Sequence, residues 1–593
     1  MKNTLYLLFI LSFFFAGSTI ANEPLSLSAI DQTELKNKLF LVADWQNKQT
    51  AHQEKYNPLN WHFATLYIGL MELHKTTGEQ KYFDQLYKLG KLHNWTTENR
   101  VFDADRIAIG QVYIDLFKEK KEPEIIQRLQ WVMDAHLERM PKPDVRFMDN
   151  KYRREWWTWC DALFMAPPTF AKMYAISGDE KYLDYAIDNW IITTKYLQDK
   201  NDKFFFRDDR YFEHQTPNNK NLYWSRGNGW VVAGLANMLT IIPKNHPKRL
   251  FFEDQFKTMV AKIAEVQQAD GLWRPSLLDP ETFPQPETSG SSFFCYAFLW
   301  GVNNGLLDAE VYMPKALKAW NGLEALVNSE GRLGFVQPPG KEPLPYTEEA
   351  WEEYGTGAFL IAGCELLKAI DKNEISQSVK KGKLIYDNPL SEKDDLKNWQ
   401  MEGPGKTEFK ENWMHMNSPN EEGHHVLWCP EDFPGSFIAE WEVQNLETDA
   451  GLVIMFFSAK GVNGEDIFDK RLKKRDGVFR GYTKSDLNNY HISYYANGRD
   501  NRERVVAHLR KNAGFNLVQN GEDGIPAKST SIHKVVLTKN DNHILMTIDG
   551  REVVNWTDDG KAYGAVLQGG KMGFRQMQWT HFRYRNFKVY ALE

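Results

Sequence analysis

An aspartate set among tryptophans is where acid chemistry could start in this sequence. The segment Trp156-Trp157-Thr158-Trp159-Cys160-Asp161-Ala162-Leu163-Phe164-Met165 places Asp161 at the entry of an apolar helix. Such surroundings remove water from a carboxyl group and raise its pKa, and an acid that keeps its proton near neutral pH is a usable donor. The plainer account is that Asp161 caps the helix by accepting from backbone N–H groups. Earlier in the chain, Phe102-Asp103-Ala104-Asp105-Arg106-Ile107 puts Asp105 at an equivalent entry. It either joins Asp161 in acid/base work on a sugar or pairs with a neighbour such as Arg106. A third cluster, Trp224-Ser225-Arg226-Gly227-Asn228-Gly229-Trp230, opens another helix. Its glycines allow close approach of a chain or ligand, and Arg226 could hold a carboxylate through two parallel hydrogen bonds. Tight helix packing would use the same glycines. With 20 Trp, 25 Tyr and 36 Phe, the chain has more aromatic residues than its cores require, and flat aromatic faces are what sugar rings stack against.

The elements that position these residues follow from periodicity. From about residue 35 to 372, apolar residues recur at intervals of three and four, the pattern of amphipathic helices. Thr77-Gly78-Glu79-Gln80-Lys81-Tyr82 and Ser177-Gly178-Asp179-Glu180-Lys181-Tyr182 are near-copies of one helix–turn–helix junction. Helix entries near Trp61, Asp105, Asp161, Gly229, Gly290 and Gly355 make six helical hairpins. Six hairpins can close into a double-layered toroid, with functional residues at the entries of the inner helices. From Lys383 onward the pattern changes to short strands. The stretches 533–538, 543–548 and 551–556 are strand-like, with Asp549-Gly550 as a hairpin turn. A β-sandwich is expected there. At 593 residues the chain exceeds one core. The expected division is a signal peptide over 1–21, an all-α toroid over 22–378 and an all-β sandwich over 379–593.

The leader is expected from Lys2, the apolar run 5–16 and the small-residue end at Ala21. Export to the periplasm or medium, without a membrane span, follows from it. The formal charge of −7 comes without a Lys/Arg block, which argues against a nucleic-acid partner. Cys160, Cys295, Cys364 and Cys429 are widely spaced, with no disulfide framework and no metal-ligand spacing among them.

The clusters at Asp105, Trp159-x-Asp161 and Trp224-x-Arg226-Gly227-Asn228-Gly229-Trp230, together with Glu287-Thr288-Ser289-Gly290 and Tyr354-Gly355-Thr356-Gly357-Ala358, fall in one order. In that order they resemble the unsaturated rhamnogalacturonyl hydrolases, relatives of the unsaturated glucuronyl hydrolases. The resemblance spans essentially the whole helical region. It implies an (α/α)6 toroid that removes a 4,5-unsaturated uronic acid from the non-reducing end of lyase-generated acidic oligosaccharides. The double bond is hydrated, and no metal or organic cofactor is used. It further implies that Asp161 gives the proton, that Asp105 supports it and binds the uronyl hydroxyls, and that Trp159, Trp224 and Arg226 shape the pocket. One departure stands out. The family's usual histidine before the tryptophan–arginine motif is missing from the loop Phe206-Arg207-Asp208-Asp209-Arg210-Tyr211-Phe212-Glu213-His214. Either His214 replaces it, or Arg207 and Arg210 bind an anionic group such as carboxylate or sulfate.

The second domain resembles a concanavalin-type lectin/glucanase sandwich at Gly570-Lys571-Met572-Gly573-Phe574-Arg575. Trp413, His415, His424, His425, Tyr490, His491, Tyr494, Tyr495 and Arg499 are candidates for a sugar groove there, or for ordinary packing. Two alternatives to a hydrolase stay open. One is an oligosaccharide lyase or dehydratase that uses the same carboxylates for elimination, and the other is a non-catalytic glycan-binding protein.

Overall fold

A computed structural model describes residues 26–593 except 50–54, 99, 140–142, 245, 379, 419–422 and 499–503. The expected leader and Arg499 lie outside the described residues. The chain forms two compact units, one through Asn373 and one from Glu374.

The first unit is helical. Its elements are α1 (Gln32–Asn47), α2 (Trp61–Thr77), α3 (Gln80–Leu92), α4 (Ala104–Ile107), α5 (Gly110–Lys120), α6 (Glu124–Glu138) and α7 (Ala162–Met165). They continue with α8 (Pro167–Ser177), α9 (Glu180–Leu197), α10 (Ser225–Ile241), α11 (Arg249–Glu265), α12 (Thr288–Asn303), α13 (Ala309–Ala325) and α14 (Glu353–Ser378). The near-copied junctions work by the same device. Gly78 (φ 75°) and Gly178 (φ 71°) end α2 and α8 in the left-handed region, which only glycine enters without strain, and the next helix starts two residues later.

The inner helices α2, α5, α8, α10 and α12 contact one another in that order. Asn303 on α12 donates to the Glu365 carbonyl of α14 at 2.9 Å. The ring closes where α14 meets α2. A Cβ on Gly357 would lie 2.2 Å from the Thr65 carbonyl oxygen, so only bare backbone fits at that crossing. One apolar core runs around the ring from Leu35 to Ile370. Helices α4 and α7 are single turns set ahead of α5 and α8, so Asp105 and Asp161 stand at entries offset from the long helices.

The second unit is a sandwich of two antiparallel sheets of eight and seven strands. The hairpin expected at Asp549-Gly550 joins His543–Ile548 to Arg551–Thr557, with φ of 52° and 76° at its two central residues. Several groove candidates are core residues instead. Tyr490, Tyr494 and Tyr495 are buried between the sheets, because the period of two turns Tyr490 and Tyr494 inward together with Ile492. Trp413 is buried, with the Arg583 and Arg585 guanidinium groups 4.6 and 4.1 Å from its ring. Cys160, Cys295, Cys364 and Cys429 are all free thiols in buried positions.

Candidate active site

A cavity of about 380 Å³ opens in the helical unit, a size common for small-molecule sites. Asp105, Trp159, Arg207 and Arg210 line it, with Phe147, Arg154 and the 340–344 loop. Asp161 stands just behind this wall, with Oδ2 3.4 Å from Arg207 Nε.

Asp161 does not cap its helix. It occupies the N-cap position of α7, yet its side chain makes no capping hydrogen bond there, and the Cys160 thiol donates to it at 3.6 Å. Capping at the other entry belongs to Asp103, which accepts from Asp105 N at 3.1 Å. Asp105 is not Arg106's partner either, since the Arg106 guanidinium pairs with Glu98. Neither carboxyl group caps its helix, and both stand beside one cavity, Asp161 with Arg207 as its ion-pair partner. Burial raises both pKa values. For Asp105 the shift is large, and the nearby charges of Asp103 and Asp161 add to it. For Asp161 the Arg207 guanidinium opposes the rise.

The Arg207–Arg210 segment is held in place by its own aspartate. Asp208 is fully buried and accepts from Arg207 Nη1 at 2.7 Å and from Arg210 Nε and Nη2 at 2.7 and 2.6 Å. Burial alone would raise this carboxyl, and the two arginines bring it below its ordinary range. Cys160 N donates to the Arg207 carbonyl at 2.9 Å, which fastens the arginine segment to the Asp161 entry. Arg210 also lies over the Phe147 ring at 4.1 Å.

Three of the residues expected in the pocket stand elsewhere. His214 is exposed and its ring packs near Tyr211 at 5.6 Å, because the 3-10 turn Asp209–Tyr211 carries the chain back to the surface. Trp224 and Arg226 are fully buried and do not reach the cavity wall. Arg226 instead donates to the carbonyls of Gln337 at 2.6 Å and Pro338 at 2.8 Å. Tyr354 donates to the same Gln337 carbonyl at 2.6 Å, Trp224 Nε1 to the Gln337 side chain at 3.2 Å, and Gln337 N to Glu287 at 3.3 Å. Three sequence clusters thus converge on one backbone segment, and Gln337 passes the restraint on by donating to the Glu342 carbonyl at 2.6 Å. Their role is to hold the loop that forms one side of the cavity. Sequence reasoning missed Phe147, Arg154 and Lys341, which lie in segments without helical periodicity.

Residues 40–370 match the model of glycosyl hydrolase family 88. The chain belongs to this family. Residues 383–589 match a domain of unknown function, DUF1961. The unsaturated 3S-rhamnoglycuronyl hydrolase of Formosa agariphila is 37% identical over 362 residues, covering 59% of this chain and 95% of its own. A family 88 glycosyl hydrolase structure from Bacteroides vulgatus is similar with a TM-score of 0.51 and 32% identity, over 57% of this chain and 99% of that one. The uncharacterized protein YesU of Bacillus subtilis is 39% identical over 214 residues, 36% of this chain and 97% of its own. Family and relatives make this family 88 chain a glycoside hydrolase of the unsaturated glycuronyl class with an (α/α)6 toroid, as the motif resemblance implied.

Proposed function

We propose that the toroid hydrates the C4=C5 bond of a terminal unsaturated uronic acid, with Asp161 as proton donor. The observation that supports this most is the pair of carboxyl groups with raised pKa values, Asp105 and Asp161, neither of which caps a helix, beside an arginine-lined cavity. The double bond is a vinyl ether. A proton from Asp161 adds to C4, positive charge develops at C5 and is shared with the ring oxygen, and water adds at C5 as its proton returns to the carboxylate. The resulting hemiketal opens to a ketone and the glycosidic bond is lost. Asp105, whose carboxyl favours the protonated form, donates to a sugar hydroxyl. Arg207 and Arg210 face the uronate carboxylate, for which their planar forks are suited.

A finer substrate reading is that the sugar next to the uronate carries sulfate. It is supported by the name of the Formosa relative, an unsaturated 3S-rhamnoglycuronyl hydrolase, and by Arg154 and Lys341 at the cavity. Export, as the sequence suggests, would put the enzyme where lyase products of such a polysaccharide arise. Amino-terminal sequencing of the mature protein tests it, and an intact Met1 would refute it.

The deciding assay follows the ultraviolet absorbance of the conjugated double bond with lyase-generated oligosaccharides. Hydration makes the signal fall, and Asp161→Asn abolishes the fall. A rising signal would mean elimination and overturn the proposal. Equal turnover of sulfated and desulfated substrates would refute the sulfate reading alone.

A further inference from the structure

The seven-stranded sheet of the second unit has one face in the sandwich core and another turned away from it. On strand Leu487–Asn497 the residues Tyr490, Ile492 and Tyr494 enter the core, so His491 and Ser493 point the other way. Pairing carries this face across the sheet. Arg510 lies opposite His491 and His508 opposite Ser493 on one side, while Phe456 and Ile454 lie opposite them on the other. Arg575 continues the row opposite Ile454. Arg504 joins by donating to Ser493 Oγ at 2.8 Å. Aromatic rings frame the group. Phe479 is 5.4 Å from the His491 ring and 4.7 Å from the Arg575 guanidinium, and Phe515 lies 3.9 Å beneath Arg510.

Among the described residues, no carboxylate pairs with Arg504, Arg510 or Arg575. Arg575 is fully buried, yet only its Nη1 has a partner, the Gly477 carbonyl at 2.7 Å, and Nε and Nη2 have none. Arg504 Nε is likewise without a partner. After burial, the influences that lower His491 come from three arginines, Arg510, Arg575 and Arg504, and from His508. Burial and that crowding lower His508 to about 4 and burial lowers Arg575 to about 10. Buried polar groups are normally satisfied, and buried charges are normally paired. A face that gathers three arginines and two histidines, with no carboxylate paired to the arginines among the described residues, is shaped for an anion that arrives from outside. Arg504, His508, Arg510, Phe479 and Phe515 are only partly buried, so the group is open to solvent along one side.

We infer that this face of the β-sandwich is a second glycan site, one that binds an oxyanion-bearing sugar through the partly exposed Arg504 and Arg510, with Arg575 buried behind them, and stacks it against Phe479 or Phe515. The oxyanion is a carboxylate or a sulfate, and the guanidinium fork accepts either. A sugar is the ligand class because the same chain carries a glycoside hydrolase of the glycuronyl class. The role is retention of acidic chains, separate from the chemistry of the toroid.

The test uses the full chain and a saturated tetrasaccharide of alternating glucuronate and 3-sulfated rhamnose, which lacks the double bond on which the toroid acts. Calorimetry should show at least a tenfold loss of affinity in the Arg504→Gln/Arg510→Gln double variant. Hydrolysis of an unsaturated disaccharide should stay within twofold of wild type. Hydrogen exchange on the wild-type protein should show added protection of strands His508–Asn512 and Leu487–Asn497 on ligand addition, and this readout stands if the double variant fails to fold. Desulfated and carboxyl-reduced tetrasaccharides identify the oxyanion, since loss of binding with either supports the site and names its ligand. Undiminished binding of a tetrasaccharide stripped of both groups, or unchanged affinity in the double variant without protection of those strands, would overturn the inference.

Discussion

Replacing Arg226 by methionine keeps the length of the side chain and removes its charge and its fork. The hydrogen bonds lost to the Gln337 and Pro338 carbonyls are charge-assisted, and bonds of that kind contribute about 1.5–3 kcal/mol each; a longer bond to Ser289 Oγ at 3.5 Å goes too, and the buried Glu287 carboxylate at 3.9 Å loses its cation. The Gln337 carbonyl keeps Tyr354 as a donor, so Pro338 bears most of the loss. The guanidinium also lies 4.4 Å from the Trp224 ring and 4.7 Å from the Tyr354 ring, contacts that contribute up to about 2 kcal/mol when desolvated. Against these stands the desolvation cost of a fully buried charge, which methionine does not incur. The balance is a destabilisation of about 2–4 kcal/mol, on the scale of breaking a buried ionic network. Denaturant unfolding followed by a probe confined to the helical unit measures it. Because Arg226 restrains the 337–342 segment and does not touch the cavity, KM should rise several-fold while kcat changes little. A fall in kcat by two or more orders of magnitude with KM unchanged would place Arg226 at the reacting atoms and refute this account. Lost stability with both constants unchanged would show that the restraint does not reach the cavity.

Further outcomes follow from the same geometry. Asp161→Asn should lower kcat by about 10²–10⁴-fold, the usual contribution of a positioned acid or base, with little effect on unfolding. Arg207→Gln removes the cation that opposes the rise of Asp161, so the Asp161 pKa climbs and the basic limb of the kcat/KM profile moves to higher pH; a downward move would contradict the assignment of Asp161 as the acid. Asp105→Asn should stabilise the protein in alkaline buffer. The folded pKa of Asp105 lies above its unfolded value, so its contribution to stability is fully present below the unfolded pKa and is lost as pH rises through the folded one. The difference in Tm between wild type and Asp105→Asn should therefore widen from acid to alkaline pH, as calorimetry would record. Gly357→Ala forces a methyl group against the Thr65 carbonyl at the ring closure and should cost about 1–3 kcal/mol, measured by denaturant unfolding.

Much of the fold was legible because it is written in local periodicity. A spacing of three and four over 35–372 needs only an apolar stripe, and Gly78 and Gly178 mark helix ends by a backbone conformation that other residues avoid. Asp549-Gly550 fixed its hairpin in the same local way. The two carboxylates were legible as helix entries rich in aromatic residues. What they do there was not, since capping and catalysis share the same residue type at the same position. Only the tertiary structure separated Asp103, which caps, from Asp105 and Asp161, which do not.

The tertiary structure also moved Arg226. Its sequence neighbourhood suits carboxylate binding, but its guanidinium faces carbonyls more than a hundred residues away, and no spacing rule carries that distance. In the second unit, alternation said that half of each strand faces outward without saying what stands beside it. The pairing register brought His491, Arg510 and Arg575 onto one face, and register is set between strands. The sequence by itself determined the elements and the types of residue at their entries, because those depend on neighbours a few residues away. Which of those residues share a cavity, and which are used up in holding it, was decided by contacts that only the closed toroid and the paired sheets create.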